Sequence, residues 1–512
     1  MLAQKKKNMQ ELVSAIGELL QFSNFGLLLL GCLLALVLGI LPGLSSTEAM
    51  IILLPFTFRL EMNESMILLS AAYASAFVGG ALTSIVFGIP GTSTGLMTML
   101  DGHPLHKAGK TVYAVSVASW SSMFSGLMSL AIVVALLPVI ESVSLLFGPA
   151  EWFAFVMFGL VVLAFSSEGQ FLRCLIAAGL GLLLSVIGLS VITGFPRFTG
   201  GFTELWGGVP IVAAFVGLYP MTEAISMIIS HQNSDKEEIK KLKQEVRAGS
   251  GKQLLDGLRD TVKHTPQWSL ASFVGWIVGV IPGVGGVLAN LLGYLVVRET
   301  SYDKSKFGKG DVRGLIASEA SNNGSVGGAL VPALALGIPG SLNTAILLGV
   351  FTINGVEPGT NIFTDNLDTT WLILISVAVA TVLSSLIVLG GGWRLISVIS
   401  HIPPVVIAPT IVFLGCMAVV LSRGNAFDLG FVAFMTVIGV AMKAYGYSRI
   451  SLVIALMLGS LVESSFFQAL AIGRGSFWIF VGSPTAIIIW VCVSACFVLH
   501  FFNATKALKQ KA

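Results

Sequence analysis

The sequence predicts an all-α polytopic membrane protein, and three observations support this prediction. The 512-residue chain is 55% hydrophobic and 11% charged, whereas soluble domains carry about 25% charged residues. The sequence lacks the short alternating segments that are typical of a membrane β-barrel. Apolar runs long enough to cross about 30 Å of hydrocarbon recur along the chain, at residues 25–41, 112–139, 171–192, 370–390 and 484–502. We expect about 12 transmembrane segments from such runs.

Residues 1–24 precede the first apolar run. Three lysines, Lys5 to Lys7, stand before a polar, amphipathic stretch, and no small-residue cleavage site follows them. We therefore expect an uncleaved N-terminal helix that lies on the cytoplasmic surface of the membrane. The first membrane repeat is predicted to follow at residues 25–230.

A polar linker at residues 231–267 divides the chain, with eight Lys/Arg against six Asp/Glu. Residues 268–502 then form the second membrane repeat, and residues 503–512 form a tail with three further lysines. Lysine-rich connections favour the cytoplasmic side, so the linker and the tail are predicted to be cytoplasmic. The linker can equally be a solvated loop with no special role.

The two membrane segments repeat the same motifs in the same order. GILPGLSS at 39–46 and VGGALTSIVFGIPGTST at 78–94 return as GVIPGVGG at 279–286 and VGGALVPALALGIPGSLNT at 326–344. A repeat of about half the chain is typical of secondary transporters. Analogy with other transporters favours an inverted arrangement of the repeats, and a parallel one is left open.

Each repeat contains two Pro-Gly breaks, at Pro42-Gly43, Pro90-Gly91, Pro282-Gly283 and Pro339-Gly340. Such a break frees backbone groups, and exposing them to lipid costs several kcal/mol. Buried in protein, the freed carbonyls can hold a cation and a half-helix N-terminus can hold a carboxylate.

The breaks predict a specific arrangement of helices. The segments around Pro42 (25–41 and 44–58) and around Pro282 (268–281 and 286–297) are short enough to form re-entrant hairpins. The GIPG breaks would then be discontinuous helices that face the hairpin tips. The alternative is that Pro-Gly marks ordinary turns between helices.

Small neutral residues around the breaks are the candidate substrate ligands, because glycine N–H, hydroxyl and amide groups suit a carboxylate or a partly dehydrated Na⁺. They are Gly43, Ser45, Ser46, Thr47, Gly91, Thr92, Ser93, Thr94, Asn322, Asn323, Gly340, Ser341, Asn343 and Thr344. Glu48 and Glu319 are candidates for ion coupling, although either can instead lie at an interface without a role. Tyr73 can bind or merely pack. We expect no metal site beyond Na⁺ at these breaks.

One stretch formally matches an enzyme motif: GTSTG at 91–95 fits G-x-S-x-G, with Asp101 and His103 nearby. A nucleophile elbow requires a strand-to-helix turn on an α/β sheet, and the sequence gives no such context. Metalloprotease, P-loop and dinucleotide motifs are also missing, as is any cysteine spacing typical of metal sites. We therefore expect a non-enzymatic protein without catalytic residues, cofactor or nucleic-acid partner, driven by Na⁺ or H⁺.

The motifs also resemble those of a known family. The LPG motif, YxxxxxGG from Tyr73, GIPG followed by DGHP, FGKG, SEASNNGSVGG, LGIPG and NGVEPG resemble the large membrane subunit of tripartite tricarboxylate transporters, the TctA family, over roughly residues 25 to 485. The resemblance implies a multi-pass subunit of the bacterial inner membrane with about 12 helices. It also implies two partners, a small four-helix TctB-like membrane subunit and a periplasmic TctC-like solute-binding protein.

The function expected from this resemblance is ion-coupled uptake of a carboxylate, and the internal repeats add the expectation of alternating access. The sequence departs from the family pattern at Ser318-Glu319, at Pro358-Gly359-Thr360 and at Ser483-Pro484, where the family commonly has an arginine before the proline. Because of the last departure, a cationic substrate anchor in that region does not simply carry over from the family to this sequence. Two alternatives stay open: a membrane-embedded carboxylate sensor or scaffold without transport, and an intramembrane hydrolase at Ser93.

Overall fold

Helices account for almost all of the structure, a computed structural model, in the part of the chain that it describes. The described residues are 2–41, 44–88, 93–144, 147–165, 171–190, 192–230, 250–282, 285–356, 366–395 and 404–511. Within them, strand pairing is confined to an antiparallel contact of β1 (Gly188–Leu189) with β2 (Pro196–Arg197). The prediction of an all-α protein is confirmed.

The helices before the linker include long helices and two short ones that begin just after Pro-Gly breaks. They are α1 Leu2–Leu19, α2 Phe22–Ile40, α3 Ser46–Thr57, α4 Met62–Phe87, α5 Leu96–Lys107, α6 Thr111–Ser144, α7 Pro149–Phe165, α8 Phe171–Ser185, α9 Ile211–Val216 and α10 Thr222–Ser230. A π-helical turn at Gly217–Met221, which contains Pro220, joins α9 to α10.

The helices after residue 249 repeat this mixture of long and short elements. They are α11 Ser250–Lys263, α12 Thr265–Val280, α13 Gly285–Thr300, α14 Val312–Leu336, α15 Leu342–Ile353, α16 Leu367–Leu389, α17 Pro404–Arg423, α18 Phe427–Tyr445, α19 Arg449–Ile472 and α20 Pro484–Lys511. The predicted linker is thus helical from residue 250, and α12 begins inside its predicted range.

Eight helical stretches in the described residues are long and apolar enough to cross a membrane. Five further apolar helices have 10 to 17 residues, among them α3 and α15. The expected number of about 12 transmembrane segments is therefore not reached by length and hydropathy alone. The five shorter helices fall below this length, and two of them, α3 and α15, begin after Pro-Gly breaks.

Glycine contacts give the relative direction of the helices around each break. Gly31 and Gly39 of α2 face the carbonyl oxygens of Leu68 and Ala76 in α4, so α2 and α4 run parallel. In the same way, Gly275 and Gly279 of α12 face Ser321 and Ser325 of α14. Each short hairpin, α2–α3 or α12–α13, therefore packs against the long helix that follows it.

The long helices α4 and α14 run antiparallel to each other. Tyr73, in the first half of α4, contacts Ser341 just beyond the end of α14, whereas Ile85 near the end of α4 shares a buried cluster with Leu315 near the start of α14. The hairpins α2–α3 and α12–α13 consequently enter the bundle from opposite ends. The α4 and α14 helices are 26 and 25 residues long, and both end at a left-handed glycine, Gly88 or Gly337.

Two faces of the bundle follow from these directions. The linker face contains α11, which packs on the start of α6 through the hydrogen bond from Ser116 Oγ to Leu254 O (2.8 Å). The opposite face contains the starts of α4 and α16, joined by the hydrogen bond from Thr369 Oγ1 to Asn63 Oδ1 (2.8 Å). The Asn63 side chain also donates to Glu18 Oε1 (2.8 Å), which places the end of α1 at the opposite face.

We predict that Gly79→Ala lowers the free energy of unfolding by about 1–3 kcal/mol, the usual cost of overpacking. A Cβ at this position would lie 2.7 Å from Leu36 O and 3.1 Å from Gly39 Cα, both backbone atoms that cannot rotate away. Unfolding in mixed micelles, followed by tryptophan fluorescence, measures the change. Gly179→Ala in α8 is the matched control, because nothing lies within 4 Å of its Cβ, and equal destabilisation of both variants contradicts the prediction.

Candidate functional site

The N-termini of α3 and α15 meet inside the bundle, and each begins with a serine cap. Ser45 N donates to Glu48 Oε2 (2.7 Å) and Ser45 Oγ accepts from Thr47 N (3.2 Å), which is a capping box. In the same way, Ser341 N donates to Thr344 Oγ1 (2.9 Å), and Ser341 Oγ accepts from Thr344 N (3.3 Å). The two positive helix ends are thereby formed from neutral residues and one carboxylate, Glu48.

Asn343 bridges these two helix ends. Its Nδ2 donates to Ser46 Oγ (2.7 Å), and its Oδ1 accepts from Thr47 Oγ1 (2.8 Å). The side chain is 4% exposed, and Ser46 and Thr47 are buried as well. Six predicted ligands from the two halves of the sequence thus meet here: Ser46, Thr47 and Asn343 directly, and Ser45, Ser341 and Thr344 in the caps of α3 and α15. We call this contact the first junction.

A second junction forms where the α12–α13 tip meets the start of α5. Asn290 of α13 accepts a hydrogen bond from Met97 N (3.2 Å), an N-terminal donor of α5, and donates to Ser318 O (2.8 Å). A Cβ on Gly286 would lie 2.8 Å from Thr94 Cγ2. Glycine is therefore required at the tip, because the chain after the first GIPG break passes directly over it. The predicted ligand Thr94 lies at this junction.

Asn322 of α14 presents an unsatisfied oxygen at the second junction. Its Oδ1 is buried and has no hydrogen-bond partner among the described residues, although the residue is only 2% exposed. The same Gly286 Cβ would lie 3.3 Å from both Asn322 Oδ1 and Ser325 Oγ. Buried polar atoms are normally paired, so an orphaned oxygen beside a hydroxyl oxygen fits a cation that both would coordinate.

Glu319 lies one helical turn before Asn322 and Asn323 and is fully buried. Its Oε1 accepts from Thr98 Oγ1 (2.5 Å) and its Oε2 accepts from Ser122 Oγ (3.0 Å). In the described part of the chain, no Lys, Arg or His forms an ion pair with this carboxylate. Asn323 donates to Glu319 O (3.2 Å) within the same helix, so its side chain supports α14 rather than facing the break.

The remaining predicted residues are placed as follows. Gly43, Gly91 and Thr92 lie outside the described residues, and Ser93 is described only as the first residue of a 3₁₀ turn, Ser93–Gly95. A Cβ on Gly340 would lie 2.7 Å from Ala329 Cα, so this glycine allows the break to pack on α14. Tyr73 is buried, with its hydroxyl 3.5 Å from Ser341 Oγ.

The DGHP motif ties the broken helices together at the linker face. Asp101 Oδ1 accepts from Gly310 N (2.9 Å) and Asp311 N (2.8 Å), and its Oδ2 accepts from Tyr294 OH (2.8 Å). The Nδ1 atom of His103 lies 3.1 Å from Ile85 O. These partners join α5 to its neighbours and do not form the relay from aspartate to histidine that a serine hydrolase needs.

Sequence reasoning missed the residues that contact the breaks from neighbouring helices: Asn290, Thr98 and Ser122. Only Asn290 carried a usable signal, since it is an amide eight residues after Pro282 in an apolar run. It also missed a cavity of about 310 Å³ between the C-terminal parts of α3 and α15. Thr98 and Ser122 occur in segments that look like ordinary apolar helix with small polar residues.

Comparison with known proteins agrees with these observations. A family model described as "Tripartite tricarboxylate transporter TctA family" matches residues 25–454. The chain is 29% identical over 483 residues, 94% of each chain, to an uncharacterized 52.8 kDa protein in the TAR-I ttuC' 3' region of Agrobacterium vitis. It is 28% identical over 242 residues, 46% of this chain and 98% of the relative, to an uncharacterized protein in the TAR-II ttuC' 3' region of the same organism. No solved structure matches the chain.

We predict that Asn343→Ala lowers the free energy of unfolding by about 1–3 kcal/mol, because it leaves the buried Ser46 and Thr47 hydroxyls without their partner. Asn354→Ala is the matched control on the same helix. Its amide is exposed and donates only to Val350 O, so its removal changes stability by about 0.5 kcal/mol or less. Denaturation of both purified variants in micelles makes the comparison, and equal midpoints contradict the bridging role.

Proposed function

Because the chain belongs to the tripartite tricarboxylate transporter TctA family, we propose that it is the transport subunit of a binding-protein-dependent secondary transporter that imports a carboxylate by cation symport. The observation that carries this proposal is the first junction. There, helix N-termini from the two halves of the chain, α3 and α15, meet through Asn343, Ser46 and Thr47.

The substrate carboxylate would bind at the first junction. Two helix N-termini direct their positive ends to this point, and their first turns hold N–H and hydroxyl donors. Among the described residues, the junction contains the carboxylate of Glu48, and Glu223, which is ion-paired with Arg449 (3.0 Å), lies within electrostatic range of it. A carboxylate there would add to this negative charge, so an accompanying cation favours binding. This balance supports symport over uniport.

The coupling cation would bind at the second junction. Asn322 Oδ1 and Ser325 Oγ are neutral oxygen ligands, and the nearby Glu319 supplies a negative charge. An orphaned amide oxygen favours Na⁺, which needs oxygen ligands and cannot be replaced there by a proton. Protonation of Glu319 is the competing way to couple transport, and it would leave the Na⁺ dependence weak.

Alternating access follows from the directions of the helices. The α2–α3 and α12–α13 hairpins enter from opposite ends, and matched helices α4 and α14 run antiparallel, which supports an inverted repeat. Residues that follow each hairpin tip, Ser46 and Gly286, lie beside residues that follow the break of the other half, Asn343 and Thr94. Movement of this core against the surrounding helices would expose the breaks to one face and then to the other.

We assign the linker face to the cytoplasm of a bacterial cell, which places the protein in the inner membrane. The loops of that face carry a cluster of cations, namely Lys107, Lys110, Lys304, Lys306, Lys309 and Arg313. The end of α1 then lies on the extracytoplasmic side, through the contact of Glu18 with Asn63, which differs from the cytoplasmic placement expected for residues 1–24. The TctC-like protein would deliver substrate to the opposite face, and the TctB-like subunit would pack on the lipid-facing helices.

Uptake of labelled carboxylate into proteoliposomes tests the function. The vesicles contain this subunit and the small membrane subunit, and the binding protein with its ligand is outside. We expect uptake only when an inward Na⁺ or proton gradient is applied. Binding of substrate with no gradient-dependent uptake would instead support the sensor or scaffold alternative.

We predict that Asn322→Ala raises the Na⁺ concentration for half-maximal uptake by about tenfold or more, since one lost ligand worth about 1.4 kcal/mol gives that factor. Glu319→Gln separates the two kinds of coupling. If Na⁺ is the coupling ion, this variant weakens Na⁺ dependence as well; if the proton is, it abolishes the response to a pH gradient. Asn354→Ala serves as the control, and an unchanged Na⁺ dependence in Asn322→Ala would falsify the assignment of this site.

A further inference from the structure

The cavity between α3 and α15 opens towards the face opposite the linker. Its walls are mostly apolar, with Ile51 and Leu54 on α3 and Ile346 and Ile353 on α15, and Arg423 is its charged lining residue. A volume of about 310 Å³ lies at the lower end of the range for small-molecule sites, which are apolar with a few placed polar groups. The cavity therefore has the size and lining for a small organic acid.

The inner end of the cavity adjoins the first junction. Ile51 is three residues after Glu48, and Ile346 is two residues after Thr344. At 1.5 Å rise per residue, these lining residues lie about 3–5 Å along their helices from the capping residues. A ligand in the cavity is thus within about two helical turns of the two helix N-termini.

Arg423, the last residue of α17, holds its guanidinium at the cavity. Its Nη2 donates to Glu204 O (2.8 Å) and its Nη1 lies 3.5 Å from Gly208 O. Gly207 allows this position, because a Cβ there would lie 3.1 Å from Arg423 Nη2. A guanidinium has five N–H donors, so these two contacts leave donors for a ligand carboxylate, which arginine binds in a bidentate manner.

Asp428 stands behind this arginine. It is fully buried, and neither carboxylate oxygen has a hydrogen-bond partner among the described residues. Arg423 Nε lies 3.9 Å from Asp428 Oδ2, close enough for attraction and too far for a hydrogen bond. A small rotation of the guanidinium would form that bond, so the substrate carboxylate and Asp428 are competitors for one cation.

We propose that the cavity is an outer binding site for the substrate, in which Arg423 binds one carboxylate group. When the substrate moves inward, Asp428 forms a hydrogen-bonded ion pair with the Arg423 guanidinium. The inference rests on the proposed transport function and adds a specificity-determining residue to it. Arg423 supplies the cationic anchor that the sequence lacks at Ser483-Pro484. Asp428 allows the substrate to dissociate from Arg423, because it offers the guanidinium a replacement partner. An anion held by arginine alone would not move on to the first junction, where the described residues include no cationic side chain.

Kinetics of uptake in proteoliposomes test the proposal, with citrate as the probe and with Arg423→Gln, Arg423→Lys and Asp428→Asn compared with wild type. Arg423→Gln should raise KM for citrate at least tenfold with little change in maximal rate. Arg423→Lys, which keeps the charge and loses the fork, should show a smaller increase. Asp428→Asn should instead lower the maximal rate several-fold without raising KM. Arg474→Gln, at an exposed arginine that does not line the cavity, is the charge-matched control.

The outcomes separate the two proposals. Wild-type vesicles without any gradient-dependent uptake contradict the transport function, and citrate binding is then measured by thermal stabilisation of the same variants. Stabilisation by citrate but not by its uncharged triethyl ester, lost in Arg423→Gln alone, would still support the outer site. If Arg423→Gln and Arg474→Gln have equal KM values, or equal stabilisation where uptake is absent, Arg423 only anchors the end of α17 and the inference is wrong.

Discussion

The structure depends on one constraint: backbone groups freed by Pro-Gly inside an apolar bundle must find polar partners. Two asparagines make contacts of this kind between the halves of the chain: Asn290 satisfies a backbone N–H, and Asn343 joins side-chain hydroxyls. Each reaches across to a helix end formed by the other half. Asn343 bonds to Ser46 and Thr47 at the start of α3, and Asn290 bonds to Met97 N at the start of α5. Breaking a helix in one half therefore requires the other half to be in place, so the fold and the candidate site form together.

This dependence gives the first junction a chemical property that function can use. Without ligand, the hydroxyls of Ser46 and Thr47 are satisfied by an amide that carries no charge. An entering carboxylate offers stronger, charge-assisted acceptance to Thr47 Oγ1 and Asn343 Nδ2, the donors of these two bonds. Binding would then exchange the contacts of Asn343 for contacts with the substrate, which loosens the link between α3 and α15. Substrate binding at the proposed site would thus couple ligand occupancy to the connection between the two halves through one side chain, Asn343.

Sequence reasoning recovered the parts that follow from local chemistry. Apolar length predicted helices, and Pro-Gly followed by Ser, Thr or Asn pointed to residues of the first junction such as Asn343. The SEASNNGSVGG run pointed to Asn322 at the second junction, whereas Asn290 there was missed. Partners from distant helices, such as Thr98 and Ser122 on Glu319, were not predictable because their local sequence looks like ordinary helix. Arg423 was missed for a related reason: at the end of an apolar run, arginine usually marks only the membrane interface, and its relation to Asp428 exists only after α17 and α18 have packed.

The charges along the proposed path support coupling between substrate and cation. The outer cavity has Arg423, whereas the first junction offers helix dipoles and the carboxylate of Glu48, and the second junction has Glu319 without an ion-pair partner in the described chain. Positive charge therefore decreases inward for an anion entering from the face opposite the linker. Each inward step becomes less favourable for a carboxylate alone and more favourable for a cation, because both buried carboxylates attract it. A carboxylate and a cation that enter the proposed path together offset each other's charge. This mutual neutralisation is the electrostatic requirement for symport.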